Sequence, residues 1–275
     1  MHNTFKWYVI SVNQGEKMKK QLLLILSSFF ILSITQAKII TEEVKYREAG
    51  EEYTSFITYD DSIKGKRPGI LIVHEWWGLD DYPKIRAKML AKLGYVAFAV
   101  DMYGTGKVTD KAEQAKAWMT EATTDVEWWR ERAIAGITRL KQHKLVDESK
   151  IAAIGYCFGG GTVIQLAYGG IDIKGVVSFH GSLPIAEESS FGKIKTKMLI
   201  AHGNADPFIP REIVTKFQDT LDKAGADWNM ITYGNVRHSF TNPKSDSRGM
   251  DALKYDKDAD KQSWQAMLAF FDDIF

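Results

Sequence analysis

Cysteine is nearly absent from this chain: Cys157 is the one cysteine among its 275 residues. A single cysteine excludes an intramolecular disulfide, and neither Cys-x-x-Cys nor His-x-x-x-His spacing occurs to suggest a metal site. We therefore expect no bound metal and no other cofactor. An excess of one charge sign is also missing, because the formal net charge is +1 and no basic run exceeds a few residues. This balance argues against a nucleic-acid partner.

Long apolar runs are missing as well, apart from residues 22–34 near the N-terminus. Two lysines precede this stretch and small residues follow it, which is the layout of a signal peptide, here at 18–37. The stretch is shorter than the roughly 20 apolar residues of a membrane span, so we expect export and cleavage before Lys38 rather than an uncleaved anchor. No cysteine lies near the cleavage site, which excludes a lipid anchor there. The mature protein would be periplasmic or secreted, without stable membrane insertion, and 1–17 would be an extension from an upstream start codon.

The rest of the chain alternates short apolar runs with helical patterns. The predicted strands, rich in β-branched residues, are 54–59, 69–74, 95–100, 151–154, 175–180, 197–203 and 228–233. The predicted helices are 82–93, a long helical region at 110–143, 162–167, 209–224 and 263–275. Strands that alternate with helices form a mostly parallel sheet with helices on both faces. Because no repeat, low-complexity segment or linker interrupts the pattern, 38–275 is predicted to be a single α/β domain.

The most informative stretch surrounds Cys157. The apolar run 151–154 predicts a buried strand and residues 162–167 predict a helix, so Cys157 lies at the turn between them. Gly155 and Gly159 flank it in the pattern of a nucleophile elbow, with cysteine in the place of serine. A side chain at either glycine would collide in so sharp a turn, and the N-terminus of the following helix favours a thiolate. The alternative is that Cys157 is a small core residue beside a tight glycine loop.

Two further reactive residues follow predicted strands, at the sheet edge where a ligand crevice is expected. Asp206 follows the strand 197–203, and His238 follows the strand 228–233. The order Cys157, Asp206, His238 is that of the α/β-hydrolase triad, which predicts an α/β-hydrolase fold. In such a triad His238 accepts the thiol proton, and Asp206 holds the imidazole in the right tautomer. Two alternatives stay open: Asp206 could cap the helix that follows, and His238 could simply face solvent.

Acyl transfer also needs two hydrogen-bond donors for the oxyanion. One would be the backbone N–H of Phe158, directly after the nucleophile, and the other should come from the loop near Trp76. Three more histidines stand at strand ends. We interpret His180 and His202 as structural, whereas His74 could line the crevice.

At these positions the sequence resembles the dienelactone hydrolase family, the branch of the α/β-hydrolases with a cysteine nucleophile. The matching segments, in chain order, are 74–78, 101–103, 155–160, 202–207 and 238–240. The resemblance implies the triad named above, with the backbone N–H groups of Trp76 and Phe158 as oxyanion donors. It also implies that Glu75 contacts the thiol in the resting enzyme and helps to form the thiolate when substrate arrives.

Two places depart from the family pattern. Members of the family bind the substrate carboxylate with arginines, where this chain has the segment 104–106 and Asn242. Dienelactone itself is therefore not the expected substrate. The adjacent tryptophans at 76 and 77 indicate an aromatic-walled pocket for a small neutral ester or lactone. The residues assigned to this substrate pocket are Trp77, Tyr103 and Phe240.

The sequence thus predicts a hydrolase of small carboxylic esters or lactones that works through a thioester on Cys157. One alternative is a thioesterase, peptidase or acyltransferase with the same triad, whose acyl-enzyme would react with an added alcohol or amine. The other is a non-catalytic binding protein, in which Cys157 would not react with iodoacetamide at neutral pH.

Overall fold

The structure, a computed structural model, describes residues 38–275; the predicted signal peptide at 18–37 and the extension at 1–17 lie outside the described residues. The strands are β1 (Ile39–Glu48), β2 (Glu51–Asp60), β3 (Arg67–Val73), β4 (Val96–Val100), β5 (Val146–Tyr156), β6 (Gly175–Phe179), β7 (Lys197–Gly203) and β8 (Trp228–Tyr233). The helices are α1 (Asp81–Lys92), α2 (Ala112–Thr123), α3 (Val126–Lys141), α4 (Phe158–Tyr168), α5 (Arg211–Ala224) and α6 (Lys257–Ile274). Short 3-10 turns at Glu188–Ser190 and Ser245–Arg248 complete this part of the chain.

The eight strands form one sheet in the order β1-β2-β4-β3-β5-β6-β7-β8. Strands β3 to β8 run parallel to one another, whereas β2 pairs antiparallel with both β1 and β4. Strands β4 and β6 are buried at every residue, as expected for parallel strands covered on both faces. The predicted mostly parallel α/β sheet is therefore confirmed.

Helices cover the sheet on two sides and form two hydrophobic cores. On one side α1 and α6 pack onto the strands through residues such as Leu90 and Phe271. On the other side α3, α4 and α5 contribute Trp129, Val163 and Phe217. Helix α4, which follows the nucleophile strand, is buried along its whole length. An element this apolar can be stable only in the interior, which places its N-terminus firmly against the ends of the strands.

Strand β1 was not predicted from the sequence. This strand carries alternating charged residues and leaves most of its side chains partly or fully exposed, so it lacks an apolar run. It is held by pairing with β2 along its full length, from Ile39 opposite Asp60 to Glu48 opposite Glu51. An edge strand of this kind is stabilised mainly by its partner, which a local pattern does not reveal.

The predicted helical region 110–143 is divided into α2 and α3. The break falls at Asp125, whose carboxylate accepts hydrogen bonds from the backbone N–H groups of Glu127 and Trp128, at 2.9 and 3.0 Å. This is the N-cap arrangement that begins a new helix. Within residues 38–275, none of the helices combines the length and apolar character required to cross a bilayer.

Candidate active site

Cys157 lies at the turn between β5 and α4, with a backbone φ of +55°. Positive φ is rare for a residue with a side chain, and it is tolerated here because the neighbouring glycines leave room. A Cβ atom at Gly155 would lie 1.9 Å from the carbonyl oxygen of Gly159, and one at Gly159 would lie 2.3 Å from that of Val73. Both glycines are thus sterically required. The thiol is partly accessible to solvent.

The structure brings Asp206 and His238 into direct contact. The Nδ1 atom of His238 lies 2.6 Å from Oδ2 of Asp206, and both side chains are buried. The second carboxylate oxygen of Asp206 accepts a hydrogen bond from the backbone N–H of Phe208 at 2.9 Å. Helix α5 begins later, at Arg211, so the carboxylate caps a turn rather than that helix. The contact holds a proton of the imidazole on Nδ1 and leaves Nε2 available to another partner.

His238 has an unusual pKa. Burial opposes its charged form, but the charge of Cys157 and hydrogen bonds with Asp206 and Cys157 outweigh burial and raise the pKa of His238 to about 10. The thiol, the imidazole and the carboxylate therefore interact as one group. An imidazolium that is stabilised in this way pairs naturally with a thiolate.

Two backbone N–H groups were predicted from the sequence to bind the oxyanion. Within residues 38–275, the N–H groups of Trp76 and Phe158 donate to no other protein atom. The N–H of Gly159, next to Phe158, donates to the carbonyl oxygen of His74 at 3.1 Å. That bond ties the loop after β3 to the start of α4, so the two unoccupied donors belong to one rigid unit. Such a pair is what a tetrahedral oxyanion requires.

The side chain of Glu75 is buried and accepts hydrogen bonds from two residues of the loop that carries His238. Ser239 Oγ donates to one carboxylate oxygen, and Asn242 Nδ2 donates to the other at 2.5 Å. Burial raises the pKa of Glu75, and these two hydrogen bonds partly offset that effect. No hydrogen bond between Glu75 and Cys157 occurs in the described part of the chain. The contact of Glu75 with the thiol stays a prediction, and in this structure the carboxylate holds the histidine loop.

His74 and Tyr103 are placed by backbone contacts around the end of β4. His74 is fully buried, accepts a hydrogen bond at Nε2 from Met102 N–H at 3.2 Å, and donates from Nδ1 to its neighbour's carbonyl. It is therefore neutral and structural, and burial lowers its pKa. The carboxylate of Asp101 accepts from the N–H groups of Tyr103 and Gly104, both at 3.0 Å. The Tyr103 ring then packs 5.3 Å from that of Phe158.

The three residues assigned to the substrate pocket, Trp77, Tyr103 and Phe240, are all buried. Trp77 is 2% exposed and packs beneath Arg248, and Phe240 is fully buried between His180 and Tyr233. The aromatic side chains nearer solvent are Trp76, which is half-buried, and Phe208, which is 48% exposed. The ring of Phe208 packs edge-on against His238, 5.1 Å away.

Neither Phe208 as a residue of the site nor the packing of His180 was predicted from the sequence. Phe208 directly follows Asp206 and Pro207. Its place beside the predicted acid of the triad is the signal that could have identified it. His180, which we interpreted from the sequence as structural, packs directly against His238 with 5.3 Å between ring centroids. His202 is also buried, and burial lowers its pKa.

Comparisons with known proteins agree with this geometry. Residues 55–275 match the profile of the dienelactone hydrolase family. A crystal structure described as a dienelactone hydrolase-like promiscuous phosphotriesterase, from metagenomic libraries, is 35% identical with a TM-score of 0.84, covering 87% of this chain and 100% of its own. Protein usf of Aquifex pyrophilus is 29% identical over 235 residues, 83% of this chain and 96% of the relative. A relative from Aquifex aeolicus, whose name proposes a carboxymethylenebutenolidase, is 26% identical over 234 residues, 83% of this chain and 96% of its own length.

A mostly parallel sheet with its reactive residues at the carboxyl ends of the strands defines the α/β-hydrolase fold, which the solved relatives share. The chain belongs to the dienelactone hydrolase family and is a hydrolase of that family.

Proposed function

We propose that this protein hydrolyses small carboxylic esters or lactones through a covalent thioester on Cys157. The observation that carries the proposal is the 2.6 Å contact between Asp206 and His238, joined to a thiol that raises the pKa of the same histidine. A thiol, a base and an orienting acid in this relation make up the machinery of nucleophilic acyl transfer.

The proposed reaction has two halves. In the first, His238 takes the proton of the Cys157 thiol, and the sulfur attacks the carbonyl carbon while the N–H groups of Trp76 and Phe158 bind the developing oxyanion. The tetrahedral intermediate collapses to the thioester, and the leaving alkoxide takes a proton from His238. In the second half a water molecule attacks the thioester, His238 accepts one of its protons, and that proton returns when the acid product and the free thiol separate.

The substrate class is inferred from the walls of the site. The relative whose name proposes a carboxymethylenebutenolidase supports lactones within that class. This chain has Gly104 and Asn242 where the family resemblance implies arginines, and its nearest solvent-accessible walls are Trp76 and Phe208. Those features support a neutral ester or lactone with an apolar body, rather than a substrate whose carboxylate must pair with arginine.

Phosphotriester hydrolysis is a second candidate. It is favoured by the 35% identity to the protein described as a promiscuous phosphotriesterase, all of whose chain is covered. In that reaction the Cys157 sulfur would attack phosphorus instead of carbon, and the same backbone donors would bind the phosphoryl oxygen. The P–O bond to the leaving alcohol would break as that alcohol takes a proton from His238, and water would then cleave the P–S bond to release the phosphodiester and the thiol.

The test is hydrolysis of short-chain nitrophenyl esters and of a small lactone by wild-type protein and by Cys157→Ala. We expect turnover to be lost in the variant, with a nearly unchanged thermal unfolding midpoint, because the side chain projects from a turn and is only partly buried. Intact mass spectrometry of the wild type during turnover should detect the protein plus one acyl group. Substantial residual activity in the variant would refute the proposal, and transfer of the acyl group to an added amine or alcohol in preference to water would favour an acyltransferase.

We also propose that the chain is exported, on the strength of the 18–37 segment alone. Fractionation of cells that express the full gene, followed by an intact mass of the exported protein, tests this. A mature N-terminus far from Lys38, or retention of the protein with its leader inside the cell, would contradict it.

A further inference from the structure

A second histidine lies against the proposed catalytic one. The rings of His180 and His238 are inclined at 67°, with 5.3 Å between their centroids. His180 follows β6, is fully buried, and has a backbone φ of +41°. Positive φ is costly for a residue with a side chain, and residues held there cluster at functional sites. These features separate His180 from an ordinary core histidine.

His180 is held neutral. Burial lowers its pKa well below the usual value, and the charges of His238 and Arg86 lower it further. The side chains that face its ring are those of Tyr156, His238, Phe240 and Thr241, with Arg86 beyond them. None of these groups is a carboxylate, so a second positive charge beside His238 would have no partner.

A chain of hydrogen bonds fixes the orientation of the His180 ring. Its Nε2 atom lies 2.7 Å from Oγ1 of Thr241, and that hydroxyl lies 2.6 Å from the phenol oxygen of Tyr82. The phenol oxygen accepts a further hydrogen bond from Nε of Arg86 at 3.1 Å. Because all four side chains are buried, breaking one bond leaves polar atoms without water to replace it.

Arg86 anchors the far end of this chain. Its guanidinium donates to the backbone carbonyl of Thr241 at 2.7 Å and forms an ion pair with Asp260 of α6. Thr241, three residues after His238, is therefore held by its hydroxyl and its carbonyl at once. The loop that carries the histidine is thus fastened to α1 and α6.

We propose that His180 is a positioning residue for His238, held in place by the Thr241, Tyr82 and Arg86 chain. With Asp206 on Nδ1, the imidazole of His238 can still pivot about that hydrogen bond, and the fixed neutral ring of His180 blocks the pivot. The Nε2 atom then stays directed at Cys157, and the proton stays on His238 because His180 does not compete for it. This inference rests on the proposed function, since it assigns a task within the same triad.

The test uses Thr241→Val, which keeps the branched shape and the backbone carbonyl but removes the hydroxyl. The matched control is Thr196→Val, because Thr196 is equally buried and its hydroxyl donates one hydrogen bond, to the carbonyl of Ile171 at 3.1 Å, near the opposite ends of the strands. Thr241→Ser restores the hydroxyl, and His180→Phe removes the partner while keeping an aromatic ring. The readout is the rate at which iodoacetamide alkylates Cys157 across pH, which needs no knowledge of the substrate.

At neutral pH we expect Thr241→Val and His180→Phe to be alkylated about tenfold more slowly than wild type, a factor that corresponds to one hydrogen bond of ordinary net strength. The difference should vanish in strongly alkaline solution, where the thiol ionises without its partner. Thr241→Ser should recover the wild-type rate. Thr196→Val should react at the wild-type rate at every pH, even if its thermal unfolding midpoint falls as far as that of Thr241→Val.

Equal neutral-pH rates in wild type, Thr241→Val and His180→Phe would overturn the inference while leaving the proposed function in place. A wild-type thiol no more reactive than free cysteine would instead refute the proposed function itself. Circular dichroism of each variant confirms that the rates compare folded proteins.

Discussion

The solvent-exposed ring of Phe208 packs edge-on against the ring of His238, with 5.1 Å between their centroids. The carboxylate of Asp206 holds both residues, since it accepts the Phe208 backbone N–H at 2.9 Å and contacts Nδ1 of His238 at 2.6 Å. One carboxylate therefore orients the base and fixes an apolar wall beside it. We expect a substrate that reaches the thiol to contact this wall.

We expect Phe208→Ala to raise KM for esters with an apolar acyl chain by roughly three- to tenfold, with little change in kcat. The reason is that the ring offers apolar surface that binds the ground state and the transition state alike, worth about 1 kcal/mol for part of a side chain. Steady-state kinetics with acyl chains of increasing length checks this. Ile231→Ala, at a partly exposed position on β8, is the control. A fall in kcat at constant KM would contradict the assignment.

We expect Asp206→Asn to lower kcat by about a thousandfold or more, because an amide can present its N–H to Nδ1 and favour the wrong tautomer. Asparagine still offers an oxygen to the Phe208 N–H, so the turn should persist. Single-turnover kinetics measures the loss, and thermal unfolding shows whether the fold is kept. A decrease of only a few-fold would mean that His238 does not depend on this carboxylate.

We expect the pH profile of kcat/KM to fall on its alkaline side only well above neutral pH. The thiol and Asp206 outweigh burial and raise the pKa of His238 to about 10, so the imidazolium that protonates the leaving group is present at neutral pH and is lost as pH rises through that value. We expect kcat/KM, corrected with Cys157→Ala, to fall near that pH, whereas an ordinary histidine would lose its proton near about 6.5. In Asp206→Asn the limb should move to lower pH. A wild-type limb close to neutrality would contradict the stabilised imidazolium.

We expect Asn242→Leu to destabilise the protein by about 2–3 kcal/mol, because it leaves a buried carboxylate oxygen of Glu75 without its 2.5 Å donor. Urea unfolding at neutral pH measures the cost. The same substitution in a Glu75→Gln background should cost clearly less, since no charge is then stranded, and the difference is the coupling energy of the pair. Additive effects of the two substitutions would show that the pair does not interact.

Much of the site was readable from the sequence because its residues follow strands directly. Cys157, Asp206 and His238 each stand within a few residues of an apolar run, and parallel strands bring their carboxyl ends to one edge. The fold class and the strand–turn–helix at Cys157 were predicted correctly for the same reason. Gly155 and Gly159 are also local requirements, since a Cβ at either would clash with backbone a few residues away or on the adjacent strand.

Other features depended on partners that are distant in the chain. The edge strand β1 has no apolar run and exists through its pairing with β2, and the break at Asp125 reflects a capping contact within a continuous helical pattern. Glu75 illustrates the same limit at the site. The family resemblance implies a contact with the thiol, whereas its hydrogen bonds run to residues more than 160 positions away.

Periodicity and short motifs determined most of the strands and helices and singled out the candidate reactive residues, because those depend on local sterics and hydrophobic pattern. Tertiary structure alone decided that His180 packs on His238, that Arg86 and Asp260 anchor the histidine loop, and that Phe208 packs on His238. These contacts join residues from separate elements. Their energies arise from burial and charge that exist only once the sheet and its helices have packed together.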